Sequence, residues 1–403
     1  MIHPTLRTIL EKGILAPSAD NLQPWKFCIR QPETEKGPGP ESGPGPFSVD
    51  LFIDESRSKS FCDAGYLAPY ISAGAVIENM RVAAQGVNCE VDVEYLPKPS
   101  HAPYVARIRF RKKAGESQPH AHAQALESRI TNRKFYHPRQ EINPAAFRNL
   151  EAIVDPTGSD PAVVRQRTNP PGLRRRGQAP SGFRLLWMKR QNPIYPRLAR
   201  LIGEADQLRF EVERLHEELM EIMRLDPARA GELKDGLDLR TLETGPGGYL
   251  LFKIISSWKR LSVANFFGFS RTMKFLSERQ MLSSGAAGLL VAPTQEPADF
   301  IRGGELMERL WHAITVDGLF IQPMEAIPIF ILNFQRTGGA DFRPIQRWKV
   351  EDMKKRFFRF FGVTDKNGLI LFFRMGRASP PSVKSIRRPL ESFLIEGEME
   401  KAG

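Results

Sequence analysis

Ala16-Pro17-Ser18-Ala19-Asp20-Asn21-Leu22-Gln23-Pro24-Trp25-Lys26-Phe27 is the stretch around which the chain is organised. Before it, Leu6, Ile9, Leu10, Gly13 and Ile14 recur at helical spacing, and Pro4 sits where a first-turn proline costs nothing. Pro17 ends that helix. After Pro24, the aromatic and apolar run Trp25 to Ile29 predicts a strand. The segment between is a loop stiffened by two prolines and carrying Ser18, Asp20, Asn21 and Gln23. Such a loop holds amides and hydroxyls at fixed positions around a ligand at low ordering cost. On spacing alone, a capped turn with no ligand reads equally well.

With 403 residues, the chain is too long for one ordinary core and calls for two domains or one large pseudo-symmetric unit. A hydrophobic share of 41% is enough to build a core, which excludes global disorder. Cys28, Cys62 and Cys89 show no paired spacing and read as reduced thiols of a cytoplasmic protein. Arg7, Glu11 and Lys12 interrupt the first helix, so it does not read as a signal peptide, and no run approaches the roughly 20 apolar residues of a membrane span. The formal net charge of +12 favours anionic partners without naming one.

Gln31 to Phe47 repeats Gly-Pro-Gly-Pro and reads as a surface loop. Strands are expected at Val49 to Asp54, Cys89 to Tyr95 and Tyr104 to Arg111, with a helix from Leu67 to Gln85. The helix around Gly74-Ala75-Val76-Ile77-Glu78 has an echo at Gly304-Glu305-Leu306-Met307-Glu308. Glycine and glutamate fall in step, which suggests two related halves and a two-fold interface made intramolecular by fusion. Further on, Pro144 to Ile153 reads as a helix, Asp155 to Gly182 as an exposed arginine-rich insertion, and Phe183 to Lys189 as a strand. Leu198 to Arg224 reads as one long helix, and the whole stretch to about Phe269 exceeds a normal connection. It is either a lid or arm, with Gly245, Gly247 and Gly248 as hinge, or a helical pair covering a sheet. Ser283 to Val291 is a small-residue turn and a buried strand, and its glycines read as close packing because no phosphate-loop pattern is present. Leu369 to Arg374 is a last strand before the basic stretch Lys384-Ser385-Ile386-Arg387-Arg388-Pro389.

The A-P-S-x-x-N-x-Q-P-W-x-F stretch resembles the signature loop of the nitroreductase superfamily. Ser128-Arg129-Ile130-Thr131-Asn132-Arg133-Lys134-Phe135 resembles the family's R-x-S-x-R-x-F phosphate-binding opening, with Thr131 in place of serine, and Lys384 to Pro389 resembles its closing K-x-x-R-[RK]-P. The likeness is greatest to fused single-chain members, the Acg family, and covers residues 1 to 135 and 280 to 395 in blocks. It implies an α+β, three-layer nitroreductase-like fold. On that reading, residues 1–125 would be a first half supplying the loop, and 126–403 a second half supplying the phosphate site, with 198–269 as candidate lid. It further implies FMN as cofactor, NADPH or NADH as reductant, a nitroaromatic, quinone or similar small-molecule acceptor, and a monomer, since the dimer is fused. An FMN storage or sequestering protein is the alternative.

Chemically, Arg129, Arg133, Lys384 and Arg388 would neutralise the phosphate. Ser18 and Thr131 would bond its oxygens or the ribityl hydroxyls. Asn21 and Gln23 carry the donor and acceptor that a flavin edge requires, and Pro17 would shape the ring pocket. The flavin carries the redox chemistry, so neither a catalytic triad nor a metal is expected. Only one loop and one arginine motif are complete, which predicts one FMN per chain. The aromatic and basic run Lys354 to Phe361 is expected to be an amphipathic helix with its aromatics in the core, rather than a nucleic-acid or membrane-surface element.

Overall fold

The computed structural model describes residues 2–30, 47–58, 65–97, 103–113, 122–155, 182–245 and 247–395. The Gly-Pro repeats, nearly all of the arginine-rich insertion, Cys62, His101, His120, Pro99 and Pro246 lie outside the described residues.

The first helix, α1 (Pro4–Gly13), buries Leu6, Ile9, Leu10 and Gly13, the face its spacing predicts. Then come β1 (Trp25–Arg30), β2 (Phe47–Ile53), α2 (Leu67–Gly86), β3 (Cys89–Tyr95) and β4 (Tyr104–Lys112). These four strands form an antiparallel sheet in the order β1-β2-β4-β3. Two helices, α3 (Ala123–Ser128) and α4 (Pro144–Val154), lead into β5 (Arg184–Lys189).

The chain then departs into α5 (Tyr195–Arg209), α6 (Glu213–Ile222), β6 (Met223–Arg224), α7 (Pro227–Leu233) and β7 (Leu237–Asp238). The short helices α8 (Gly248–Ile254) and α9 (Trp258–Phe266) follow, then α10 (Phe269–Leu282). The single helix expected from Leu198 to Arg224 is therefore wrong in detail: it starts earlier and breaks between Arg209 and Glu213. Val212 is extended there, and the carbonyls freed at the break are taken by side chains. Asn265 Nδ2 donates to Phe210 O at 2.7 Å, and Gln346 Nε2 donates to Glu211 O at 3.0 Å. Partners distant in sequence thus replace the helical ladder.

The chain ends with β8 (Ala286–Ala292), α11 (Pro297–Val316), β9 (Phe320–Pro323), α12 (Ala326–Thr337), α13 (Pro344–Phe361) and β10 (Gly368–Gly376). The second antiparallel sheet has the order β5-β8-β10-β9. Both sheets thus join their first, second, fourth and third strands side by side, and both place one 20-residue helix between the second and third. The architecture is α+β.

Those two long helices, α2 and α11, cross at their glycines. A Cβ built on Gly74 would lie 1.9 Å from Ile301 O, and one on Gly304 would lie 2.0 Å from Ile71 O. The contact is reciprocal, as in a two-fold interface. Only residues without a side chain allow backbones so close. One hydrophobic core runs through the crossing and joins both sheets. Close packing also accounts for Gly288, where a Cβ would lie 2.4 Å from the Phe373 ring. In α13, Phe357 and Phe361 are buried beside Phe372, so aromatics of the Lys354–Phe361 run do face the core.

Candidate functional site

The loop after α1 holds three non-glycine residues in the left-handed region, Asp20 (φ 50), Asn21 (φ 56) and Gln23 (φ 54). Asn and Asp tolerate this conformation, but Gln pays for it with strain, which persists only where the surroundings over-determine the backbone. The surroundings do so here. Gln23 N donates to Ser18 Oγ at 2.9 Å, and Gln23 Nε2 donates to Lys234 O at 2.8 Å. Gln23 Oε1 accepts from Arg388 N at 3.0 Å. Asn21 Nδ2 donates to Ile386 O at 3.1 Å and Gly236 O at 3.3 Å, while Asn21 Oδ1 accepts from Arg387 Nη1 at 2.7 Å.

Two remote segments therefore clamp the loop: residues 234–236 between α7 and β7, and the basic stretch 386–388. Arg57 strengthens the first clamp by donating to Leu22 O at 2.8 Å and pairing with Asp235. The loop amides are engaged by the protein itself in this arrangement. Trp25, at its end, is fully buried against Phe393, with ring centroids 5.8 Å apart.

The base of the loop meets a cluster of cations. Arg129, 4% exposed, donates from Nη2 to Leu15 O at 2.8 Å and lies 4.7 Å from the Trp311 ring centre. Arg387 donates to Ala16 O at 3.0 and 3.2 Å and to Leu15 O at 3.4 Å. Lys384 Nζ donates to Glu127 O. Against these cations stands the buried carboxylate of Glu308 on α11, whose Oε1 lies 3.0 Å from Arg129 Nε and 3.3 Å from His312 Nε2. Glu127 is turned toward Lys12 instead. With the Asn79 amide oriented by its hydrogen-bond network, its nitrogen donates to Glu308 Oε1 at 3.1 Å and its oxygen accepts from Ala16 N at 3.1 Å. The α2–α11 crossing thereby holds the loop directly.

The electrostatics follow from this crowding. Burial opposes the charge on Glu308, but Arg129 and His312 outweigh it and keep the carboxyl below its ordinary range. Burial and the charge of Arg129 pull Arg387 below the usual arginine range. Desolvation of the ammonium, with Arg129 and Arg387 close by, brings Lys384 down to about 8, although the residue as a whole is exposed. Burial is the larger cause of both depressions and the mutual repulsion of Arg129, Arg387 and Lys384 adds to it, so an anion placed among them would be favoured. Arg388 adds a buried Nε that lacks a hydrogen-bond partner.

The sequence-predicted residues thus divide. Ser18, Asn21, Gln23, Arg129, Lys384 and Arg388 come together around the loop, and Pro17 lies within it. Arg133 lies away from the Arg129 cluster, donating to Thr241 O at 3.1 Å, but faces the loop at Asp20, whose charge opposes its desolvation. Thr131 forms an isolated bridge with Ile321. Sequence reasoning missed Arg387, Asn79 and the role of Glu308. The glutamate echo pointed toward Glu308, but nothing local marked Asn79.

A second buried cation, Arg374, is fully enclosed and donates only to neutral acceptors, among them Gln322 Oε1 and Lys134 O at 2.7 Å each. Its guanidinium lies 3.9 Å from the Tyr136 ring centre. A cleft of roughly 770 Å³ opens elsewhere, lined by residues including Thr294, Phe334, Lys354 and Asp365. Among the described residues, no group of three or more His, Cys, Asp or Glu is placed to hold a metal.

No family model matches the sequence. The chain is 26% identical, over 388 residues, to an uncharacterized protein of Mycobacterium tuberculosis. That alignment takes in 96% of this chain but 47% of the relative, so the chain spans about half the length of the curated relative it matches. Among solved structures, it is similar to the FMN and NADPH-dependent nitroreductase NfnB from Sphigopyxis sp. strain HMH, at 12% identity and a TM-score of 0.33. It is also similar to the FMN-dependent nitroreductase NfnB from Mycobacterium smegmatis in complex with NADPH, at 14% identity and a TM-score of 0.34. These alignments cover 69% and 68% of this chain and 99% of each nitroreductase.

Proposed function

We propose that the protein is an FMN-binding, nitroreductase-like oxidoreductase that accepts hydride from NADPH or NADH and passes electrons to a nitroaromatic, quinone or similar small molecule. One observation carries the reading. Three stretches separated by more than a hundred residues each, the 16–27 loop, Arg129 and residues 384–388, each resemble a part of one family's flavin site, and they converge on a single cationic centre.

The residues present fit the cofactor's phosphate. Arg129, Lys384 and Arg387 outnumber the one buried carboxylate beside them, and a dianion would relieve their desolvated charge. Ser18 would supply a hydroxyl. Asn21 and Gln23 would meet the ring edge only by exchanging their present partners, so for them binding couples to movement of residues 234–236. When bound, the flavin supplies the hydride chemistry, and the chain's residues orient it and set its electrostatic surroundings. The repeated sheet order and the reciprocal glycine crossing support a fused pseudo-dimer with one such site per chain.

The clamp of residues 234–236 on the loop favours a second reading, in which the insertion is a permanent cover and the protein stores FMN with little turnover. Acid release of cofactor from purified protein should yield about one FMN per chain. A colourless protein that cannot be reconstituted refutes flavin binding. Anaerobic NADPH or NADH should bleach the flavin within a stopped-flow record. Bound FMN that neither nucleotide reduces leaves only storage.

A further inference from the structure

We propose that the α8–α10 segment is a peripheral docking surface for an anionic phospholipid bilayer. Phe252, Ile255 and Leu261 of the α8–α9 stretch pack with Leu219, Met223, Leu237 and Leu239 in a small core, and α10 packs along α5. At the turn between α9 and α10, Phe266 is 84% exposed and Phe267 81% exposed, with ring centroids 5.4 Å apart. Val263, Phe275 and Leu276 are exposed on the same two helices, and Tyr249, Leu250 and Ile254 are exposed on α8. Isolated exposed hydrophobics need no explanation, but such a concentration in three successive helices does.

The turn is firmly built. Gly268 adopts φ +95 and caps α10, Gly268 N donates to Asn265 O at 3.0 Å, and Asn265 Nδ2 donates to Phe210 O at 2.7 Å. Phe269, just beyond, packs edge-on against Phe210. The turn that carries the two outward phenyl rings is thus held by hydrogen bonds and by the packing of Phe269 on Phe210.

Charge identifies the occupant. Lys253, Lys259, Arg260, Arg271 and Arg279 are exposed around these apolar residues, and none forms an ion pair among the described residues. Lys274 is tied to Glu204, and Glu278 is the segment's one acidic side chain. Basic residues interleaved with phenylalanine and leucine fit the interface of an anionic bilayer, where apolar rings enter the acyl boundary and cations meet phosphate head groups. A second copy of the chain is the poorer occupant, because an isologous contact would bring the same cations face to face. Among the described residues, no helix is long and apolar enough to cross a membrane, so the contact is superficial.

The inference is independent of flavin binding and is tested on the full chain. Protein is sedimented with extruded vesicles of phosphatidylcholine alone or mixed with phosphatidylserine, at low and high salt. Wild-type protein should partition onto the mixed vesicles and release at high salt. The double variant Phe266→Ser and Phe267→Ser should lose roughly tenfold or more in partition. Lys259→Glu with Arg260→Glu should also lose roughly tenfold or more, since each basic residue near an anionic surface contributes about fivefold. All four positions are exposed, and far-ultraviolet circular dichroism checks that the variants fold. Failure to bind the mixed vesicles, equal binding to neutral ones, or indifference to the phenylalanine pair would each overturn the proposal. So would a wild-type dimer in size-exclusion chromatography that the phenylalanine variant abolishes, because the surface would then belong to a second copy.

Discussion

Replacing Gly74 by alanine tests the helix crossing on which both halves and the loop depend. The new methyl would lie 1.9 Å from Ile301 O, where van der Waals contact requires about 3.5 Å. The nearest obstacles are backbone, Ile301 O and Glu305 N at 2.9 Å, so no side-chain rotation relieves the clash. The helices must separate by more than 1 Å, and a gap of about that size already forfeits a quarter to a half of each dispersion contact it opens. Overpacking against rigid neighbours costs about 3 kcal/mol or more, and alanine's helix propensity returns about 1 kcal/mol, leaving a net loss of about 2 to 4 kcal/mol. Urea unfolding followed by circular dichroism reads this as a lowered midpoint at unchanged slope. Gly304→Ala should lose as much, since its Cβ would lie 2.0 Å from Ile71 O. Gly86→Ala, at the end of the same α2 with nothing within 4 Å, is the control and should be neutral or slightly stabilising. Wild-type stability in either Gly74→Ala or Gly304→Ala would refute the close crossing.

Glu308→Gln should destabilise by about 3 to 5 kcal/mol in the same assay, because it leaves the buried Arg129 without its counter-charge. Glu325, whose Oε1 accepts from Phe372 N at 2.8 Å, has its carboxyl pushed up to about 8 by burial. The folded state then holds a proton that the unfolded state releases above about pH 4.5, so this group lowers stability as pH rises toward 8. Glu325→Gln keeps the acceptor and should flatten that decline, which unfolding curves across the interval would show. Lys384, at about 8 when folded against 10.5 for a free lysine, should lose its proton between neutral and mildly alkaline pH. FMN affinity should therefore weaken through that range while riboflavin affinity does not, and Lys384→Met should remove the difference in fluorescence titrations.

Local elements were legible because their causes are local. Spacing of Leu6, Ile9 and Leu10 placed α1, and the alternating or wholly apolar runs placed β2, β4, β8 and β10 within a residue or two. The echo at Gly74 and Gly304 was also visible, since a helix crossing without Cβ atoms can be built only from glycine. The break of α5 from α6 was not legible, because its cause lies in Asn265 and Gln346, which receive no signal from the apolar stripe they interrupt.

The same division applies to the candidate site. Sequence alone determined which stretches carry polar and cationic groups: the loop at 16–27, the arginines at 129 and 133, and the basic run at 384–388. Tertiary structure decided how these groups are used. It put Arg387 rather than Arg133 beside Arg129, placed Glu308 and Asn79 beneath the loop, and brought residues 234–236 onto Asn21 and Gln23. The reason is physical. Charges a hundred or more residues apart become neighbours only when the folded chain brings loops and helices into hydrogen-bond reach, and burial together with the charges nearby then shifts how readily each group titrates.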